Sequence, residues 1–467
     1  MRIAILSNNL IPNRTGFGSA IMVWAFVETL VKRGHEVHLC CYNYDPGLGK
    51  ERWINGDYAR AKQELDEFGV KVRLIELQPL LPGDIWRRRM DFVKRLIRKV
   101  TSPSVCDFYG GVAYEREIAR YLNEIEPDGV IAWTVDAVAA VDHMEHRWPR
   151  MGLLVDLDHL ARASNRQHAA PRGIKAKLYD AVDAIAERKL PGISAKLLAR
   201  CEIVIDCAAH HAAWLRQNGV PHASYLPVPV LDQAGPDWRN ARDRLLAENK
   251  KVRLLLLGHV TGAATLPGLF LFGLEVLPEI ERRIGTEGYE VNIIGGGQLP
   301  PELKKAFDRP HVNVRGFIED AQREVQSSEI IAVPTPIELG FRTRIAESFL
   351  YGCCVVAHSA NAKGMSEIVD GENALLADTG PEMAEMLIRC IRDPELRGRL
   401  GDAARGTFEQ SLDGAKVCTT AIMQLEAITA GSGSSIVGKR GSAYSAKCDA
   451  DLPGNPGMTD AGRPPAA

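Results

Sequence analysis

The feature that most constrains this chain is an alternation of strand-like apolar runs with helix-like segments, which occurs twice. The first series has a strand at Arg2–Leu6, a helix at Ser19–Lys32, a strand at Glu36–Tyr42 and a short apolar run at Gly129–Trp133. The second series starts at Lys251–Leu257. Short runs that are apolar throughout are typical of parallel strands buried on both faces, with right-handed helical crossovers between them. We therefore predict an α/β chain made of two doubly wound halves.

Changes of composition give the predicted domain boundaries. A polar stretch rich in Asp, Arg, Asn and Ala separates the two series, and a stretch rich in Gly, Ser, Ala and Pro closes the chain. The predicted divisions are a first domain over 1–230, a linker over 231–250, a second domain over 251–412, a C-terminal helix over 413–430 placed to pack back toward the first domain, and a disordered tail over 431–467. In such a pair of sheets a ligand is expected between the domains, at the carboxyl ends of the strands.

Composition excludes several classes of protein. Lys plus Arg is 57 and Asp plus Glu is 59, so the net charge of -2 gives no basic field for nucleic-acid binding. The ten cysteines contain no C-x-x-C pair, which argues against a zinc site and favours reduced thiols. The N-terminus is not typical of a signal peptide, and glycines interrupt the uncharged stretch Leu254–Leu274. A cytoplasmic location is therefore predicted.

The segment Pro334–Cys354 carries the clearest chemistry. Arg342 and Arg344 stand where a loop passes into a helix, and free N–H groups at a helix N-terminus together with guanidinium groups suit a pyrophosphate. Glu347 follows one turn later, where a carboxylate can accept hydrogen bonds from the vicinal hydroxyls of a ribose. The alternative is that the arginines are solvated surface groups and that Glu347 only complements the helix dipole.

This segment resembles the donor-binding signature of retaining group 1 glycosyltransferases with the GT-B fold. One branch of that family carries a G-x-R-x-K-x-x-E pattern, and Arg344 takes the place of its lysine. Neighbouring stretches resemble family motifs in the same order: Gly295–Gly297, Val314–Asp320, Lys363–Asn373 and Asp393–Leu396. The resemblance is strong over Lys251–Glu409. Toward the N-terminus, a loop with Gly16 and Gly18 followed by a long helix is more loosely similar.

The resemblance implies a GT-B fold, in which two Rossmann-like domains face each other across a cleft. It also implies a nucleoside-diphosphate sugar donor, a hydroxyl acceptor on a glycan, a lipid-linked molecule or a small molecule, retention of configuration, and neither metal nor cofactor. The site residues that it implies are Arg342 and Arg344 for catalysis and diphosphate binding, Glu347 for the ribose, and Gly16, Gly18, Gly258, Gly364 and Glu367 for the rest of the donor.

One departure keeps other functions open. Many family members have two glutamates spaced E-x7-E, but counting back from Glu347 reaches Leu339, and Glu338 stands one position too early. A non-catalytic GT-B-like partner subunit therefore remains an alternative, as does a nucleotide-sugar epimerase or a phosphorylase on the same fold. A dehydrogenase is disfavoured because no G-x-G-x-x-G opens the first strand–helix unit.

A second cluster of polar residues, Asp156 to His159, follows the apolar run Gly152–Val155. A D-x-D pair binds metal in another glycosyltransferase fold, and an aspartate can also cap a helix. We take Asp158 and His159 as candidate catalytic or acceptor-positioning residues. His210–His211 is interpreted as a pair on a helix surface.

The stretch 85–100 interleaves basic and apolar residues at helical spacing. An ordinary helix with its apolar face on the core is the favoured interpretation. The alternative is contact with an anionic membrane surface, which would suit an enzyme that acts on a lipid-linked acceptor.

Overall fold

The computed structural model describes residues 1–8, 12, 19–44, 58–76, 97, 99–109, 112, 114–142, 144, 148–160, 162, 174–262, 264–338 and 340–432. The sequence predictions for Gly16 and Gly18, for 85–96 and for 433–467 lie outside the described residues.

The first half of the chain forms a seven-stranded parallel sheet. The strands are β1 (Arg2–Asn8), β2 (Glu36–Tyr44), β3 (Lys71–Glu76), β4 (Gly129–Trp133), β5 (Arg150–Leu154), β6 (Ile203–Asp206) and β7 (Ala223–Tyr225). Their order is β3-β2-β1-β4-β5-β6-β7, so the direction of winding reverses between β1 and β4. Leu154 pairs with Asp206, which places the ends of β5 and β6 side by side. Ligands in doubly wound sheets bind at this carboxyl edge.

Seven helices of the described chain accompany this sheet. They are α1 (Ser19–Lys32), α2 (Tyr58–Glu67), α3 (Glu115–Ile125), α4 (Thr134–Val141), α5 (Ile174–Ala186), α6 (Leu190–Leu198) and α7 (Ala209–Gln217). The predicted apolar face of α1, with Met22, Phe26 and Leu30, is buried, but Trp24 and Ala25 are buried as well. Helix α1 is therefore covered on more than its sheet-facing side.

The second half forms a six-stranded parallel sheet. The strands are β8 (Val252–Leu257), β9 (Tyr289–Ile294), β10 (Val312–Gly316), β11 (Ile330–Val333), β12 (Cys354–His358) and β13 (Leu375–Ala377). Their order is β10-β9-β8-β11-β12-β13, again with a reversal, here between β8 and β11. The predicted fold class, with two doubly wound sheets in one α/β chain, is confirmed.

The remaining helices of the described chain surround the second sheet or follow it. They are α8 (Trp238–Ala247), α9 (Leu266–Leu271), α10 (Leu277–Ile284), α11 (Pro301–Ala306), α12 (Ala321–Gln326), α13 (Thr343–Leu350), α14 (Gly380–Arg392), α15 (Pro394–Thr407) and α16 (Gly414–Ser432). Helices α9 and α10 are separated by a wide π-type turn at Phe272–Val276. Pro278, at the start of α10, has no N–H to donate to the preceding turn, which fits this interruption.

The C-terminal helix α16 returns to the first sheet. Gly414 donates its N–H to the Val230 carbonyl at 2.8 Å, so the outgoing and returning segments lie side by side. Along α16, Glu426 forms an ion pair with Arg33 at 2.7 Å, and Leu425 packs against Gly129, where an added Cβ would lie 3.2 Å away. Helix α16 packs on α1 and, through Leu425, on strand β4 of the first sheet.

Half of the stretch 231–250 is helical, over Trp238–Ala247. Within it, α8 packs on α12, and the Arg242 guanidinium donates to the Ser328 carbonyl at 2.9 Å. Arg242 is buried, so this helix is fixed to the second sheet's side of the molecule. No helix in the described part of the chain has the length and apolar character needed to cross a membrane.

Candidate functional site

The site is built around the start of α13. Strand β11 lies in the middle of the second sheet, between β8 and β12, and the loop after it leads into α13. The helix begins as the Ile345 N–H donates to the Arg342 carbonyl at 2.9 Å. Arg342 and Arg344 therefore stand at the helix N-terminus, at the carboxyl edge of the sheet, as the sequence pattern predicts.

The Arg342 side chain is buried, with 5% of its surface exposed. Its Nε donates to Asn361 Oδ1 at 2.8 Å and its Nη2 to the Ile337 carbonyl at 3.0 Å. Asn361 is in turn held by the His358 carbonyl at 2.7 Å, so the guanidinium has a rigid frame. Burial lowers the pKa of Arg342 to about 10, and the neighbouring charge of Arg344 acts in the same direction.

Arg344 is held by the loop after β8. Its Nη1 donates to the Leu257 carbonyl at 2.7 Å and its Nη2 to Thr265 Oγ1 at 3.1 Å. Burial lowers its pKa to about 10, although the carboxylate of Glu347 opposes this effect. Arg344 also lines a small pocket together with Gly258, Thr265, Pro334 and Thr335.

The close packing around Arg344 requires a residue without a side chain at position 258. Its φ of +136° is one that side-chain-bearing residues rarely adopt, and an added Cβ would lie 2.7 Å from Thr265 Oγ1 and 3.1 Å from Arg344 Nη1. The sequence pattern singled out this glycine for the donor site, and the structure brings it against the arginine.

The charges of the two arginines are not balanced by direct ion pairs. Within the described chain, neither guanidinium forms a salt bridge with a carboxylate; their partners are carbonyls, an amide and a hydroxyl. Cations withdrawn from water without a counter-ion are costly, and two neighbouring cations repel each other. This part of the site is therefore electrostatically prepared for an anion.

The Glu347 carboxyl lies half-buried one turn into α13. No hydrogen bond or ion pair engages it among the described residues. Burial raises its pKa to about 7, while the positive charge of Arg344 works in the opposite direction. A partly desolvated carboxyl without a partner, next to two cations, is suited to accept hydrogen bonds from ligand hydroxyls.

The first domain meets this site through Asp156, two residues beyond β5. Its Oδ1 accepts the Gly340 N–H at 2.9 Å. A Cβ on Gly340 would lie 2.2 Å from that oxygen and 2.8 Å from the Val155 carbonyl. The arginine-bearing turn therefore presses directly against the carboxyl edge of the first sheet.

The loop 363–367 also faces the first domain. The Gly364 carbonyl accepts the Ala209 N–H at 3.2 Å, and the Lys363 carbonyl accepts from the His210 N–H at 3.3 Å. Nearby, the Tyr225 hydroxyl donates to Glu367 Oε2 at 2.6 Å. Burial raises the pKa of Glu367, which this hydroxyl partly offsets. The predicted donor residues Gly364 and Glu367 thus lie at the domain boundary.

Asp158 and His159 lie at the same edge of the first sheet. Asp158 Oδ2 is buried and has no hydrogen-bond partner in the described chain, and burial raises the pKa of this carboxyl. His159 packs against Trp214, with ring centroids 5.0 Å apart, and burial lowers its pKa. Both follow Asp156, which contacts the second domain.

The interpretation of His210–His211 as a surface pair is wrong for His211. Its side chain is 1% exposed and lies on the buried face of α7, with Nδ1 3.5 Å from Asp206 Oδ1. Asp206, at the end of β6, is fully buried. The sequence signal was available, since Asp206 closes an apolar strand at the edge where ligands bind.

Glu338, the misplaced first glutamate, forms an ion pair with Lys363. The two carboxylates of the D-x-D pair have separate surroundings: Asp156 contacts Gly340, whereas Asp158 lies beside Tyr109. Among the described residues, no group of three or more His, Cys, Asp and Glu side chains is arranged to hold a metal ion.

Comparison with known proteins gives a family match for the second half of the chain. Residues 244–393 match the family model described as glycosyl transferases group 1, and this range contains every strand of the second sheet. No curated protein sequence matches the chain.

Solved structures cover nearly the whole chain at low identity. HepE of Anabaena in complex with UDP and glucose has a TM-score of 0.58 at 14% identity, over 91% of this chain and 99% of its own. Sucrose-phosphate synthase from Thermosynechococcus elongatus has a TM-score of 0.63 at 14% identity, over 92% and 99%. WaaG, a glycosyltransferase involved in lipopolysaccharide biosynthesis, has a TM-score of 0.56 at 14% identity, over 91% and 99%. The chain therefore has the GT-B fold, and its residues 244–393 match the group 1 glycosyltransferase model.

Proposed function

We propose that this protein transfers a sugar from a nucleoside-diphosphate sugar to a hydroxyl acceptor, with retention of the anomeric configuration. The observation that carries the proposal is the pair Arg342 and Arg344: two desolvated cations without direct counter-ions at a helix N-terminus. A diphosphate supplies the missing negative charge and matches the geometry of guanidinium groups. The Anabaena neighbour, whose structure holds UDP and glucose, is consistent with a donor of this class.

In the proposed arrangement the diphosphate lies against Arg342, Arg344 and the Gly258 loop, and Glu347 accepts hydrogen bonds from the ribose. Gly364 and Glu367 lie next to the phosphates or the sugar. As the sugar leaves, negative charge grows on the departing diphosphate. The two arginines are already held by carbonyl and amide oxygens, so they stabilise this charge without reorganising.

The acceptor is proposed to enter from the first domain, where Asp158 and His159 would line the opposite side of the cleft. Asp158 carries an unpaired buried oxygen that can accept a hydrogen bond from an acceptor hydroxyl. Contact of the two domains would keep water from the reacting sugar and so limit hydrolysis.

The test uses the purified full chain, a panel of UDP-, GDP- and ADP-sugars, and a mixture of glycan, lipid-linked and small-molecule acceptors. Release of free nucleotide that depends on both the sugar donor and an acceptor is expected, and NMR of the product should show the anomeric configuration of the donor. Nucleotide binding without release would favour the partner-subunit alternative. Interconversion of the donor sugar without an acceptor would favour an epimerase.

A further inference from the structure

We propose that Asp156 is a positioning residue of the donor site, which holds the arginine-bearing turn in place from the other domain. The inference rests on the proposed function and deepens it. Asp156 does not touch the diphosphate in this arrangement; it acts through Gly340 on Arg342.

The first support is the geometry of the contact. The Gly340 N–H donates to Asp156 Oδ1 at 2.9 Å, and Gly340 stands two residues before Arg342. No side chain fits between them, because a Cβ on Gly340 would lie 2.2 Å from Oδ1 and 2.8 Å from the Val155 carbonyl. This close approach fixes the turn against the end of β5, from a residue 184 positions away in the sequence.

The second support is the arrangement of charges around Asp156. Burial raises the pKa of its carboxyl, Asp206 adds to this rise, and His211, the Gly340 N–H and Arg342 oppose it. Beyond His211 lies Asp206, with a distance of 3.5 Å between Nδ1 and Oδ1. Acidic and basic groups thus alternate in the order Asp206, His211, Asp156 and Arg342, and this series passes from the first domain into the second. Asp158 is a further carboxyl near Asp156.

The third support is the division of partners at Arg342. Its own hydrogen bonds, to Asn361 and to the Ile337 carbonyl, stay within the second domain and orient the guanidinium relative to its own sheet. The hydrogen bond at Gly340 is what ties the same turn to the first domain. Loss of the Asp156 oxygen would leave the turn free to shift relative to the first domain. Such a shift would weaken the contacts that the arginines make with the reacting diphosphate.

The experiment compares D156A, D156N, G340A and the double variant D156A/G340A in the full chain. The control is D402N, which makes the same chemical change as D156N at an exposed ion pair with Arg239. UDP binding is measured by calorimetry, and kcat and KM are measured for UDP release from UDP-glucose. If the wild-type chain prefers GDP, the same measurements use GDP and GDP-mannose.

We expect D156A to weaken nucleotide binding about tenfold and to lower kcat, because it removes a charge-assisted hydrogen bond to the turn. D156N should stay within about threefold of the wild type in binding, since its amide oxygen still accepts the Gly340 N–H. The double variant should bind no more weakly than G340A alone, because both changes break the same contact. D402N should match the wild type.

Nucleotide affinity equal to that of the wild type in D156A would overturn the inference. So would a double variant whose loss of affinity is the sum of the two single losses, or a D156N that binds as weakly as D156A. A purely structural role would lower the unfolding temperature of D156A and leave its kcat and KM unchanged, and this result would also overturn it. Failure of the wild-type chain to bind any of UDP, GDP and ADP would contradict the proposed function itself, before any variant is compared.

Discussion

Replacement of Glu347 by Gln gives the sharpest test of the electrostatics of the site. Burial raises the pKa of this carboxyl from 4.5 to about 7 in the folded chain. Between these two values the folded state binds the proton more tightly than the unfolded state, so the free energy of unfolding falls as the pH rises. At about 1.4 kcal/mol per pKa unit the loss above pH 7 is at most about 3 kcal/mol, and partial access to water reduces it.

E347Q carries no titrating group at this position, so it should avoid this loss. The expected result is that wild type and E347Q have similar unfolding midpoints near pH 4.5, and that E347Q becomes the more stable of the two above pH 7. The assay is urea unfolding of the unliganded chain between pH 4.5 and 8.5, followed by circular dichroism. E385Q, which makes the same change at a surface ion pair with Arg283, serves as the control and should follow the wild type.

The same replacement tests the role proposed for the ribose. If the ionised carboxylate accepts hydrogen bonds from the ligand, UDP affinity of the wild type should rise with pH through about 7, and E347Q should show a flatter profile. In the unfolding experiment, if the free energy of unfolding depends on pH in the same way for wild type and E347Q, the argument that Glu347 is desolvated is refuted.

Three further outcomes are expected. R342A should lower kcat/KM by about 10²–10³-fold, since it removes a charge that stabilises the leaving diphosphate, and its circular dichroism spectrum should be unchanged. An unchanged rate would exclude that role. G258A should raise the donor KM at least about tenfold, because the new Cβ meets Thr265 Oγ1 at 2.7 Å, and a wild-type KM would show that the loop adjusts freely. Y225F should lower the unfolding free energy by about 1 kcal/mol, since Glu367 loses a partly buried hydrogen bond, and calorimetric unfolding that matches the wild type would argue against this contact.

The sequence was sufficient to place most strands, because a buried parallel strand is a short run of apolar residues in the chain itself. Gly129–Trp133 was predicted with the bounds that the structure has. Helix α4, by contrast, was not predicted. It follows β4 directly. Thr134 takes a φ of +74° at this turn, and no glycine or proline in the sequence indicates a turn there.

The residues of the site also differ in how far the sequence alone predicts them. The two arginines and Glu347 lie close together in the sequence, so their spacing on one helix could be read as a motif. Asp156 is different, because its partner Gly340 lies in the other domain, and a local pattern holds no information on such a contact. The burial of His211 was missed although its partner Asp206 stands only a few residues earlier, at the end of the apolar strand β6.

Under the proposed function, both domains contribute to one donor site. The second domain supplies two cations, the buried Arg342 and the half-buried Arg344, and desolvation lowers the pKa of each to about 10. The first domain does not neutralise them with a direct salt bridge in the described chain; instead it holds the surrounding loops by Asp156, by the N–H groups at the start of α7 and by Tyr225. A bound diphosphate would supply the missing charge and favour the arrangement in which these loops are held. Ligand binding and domain contact should therefore reinforce each other, since each stabilises the state that the other requires.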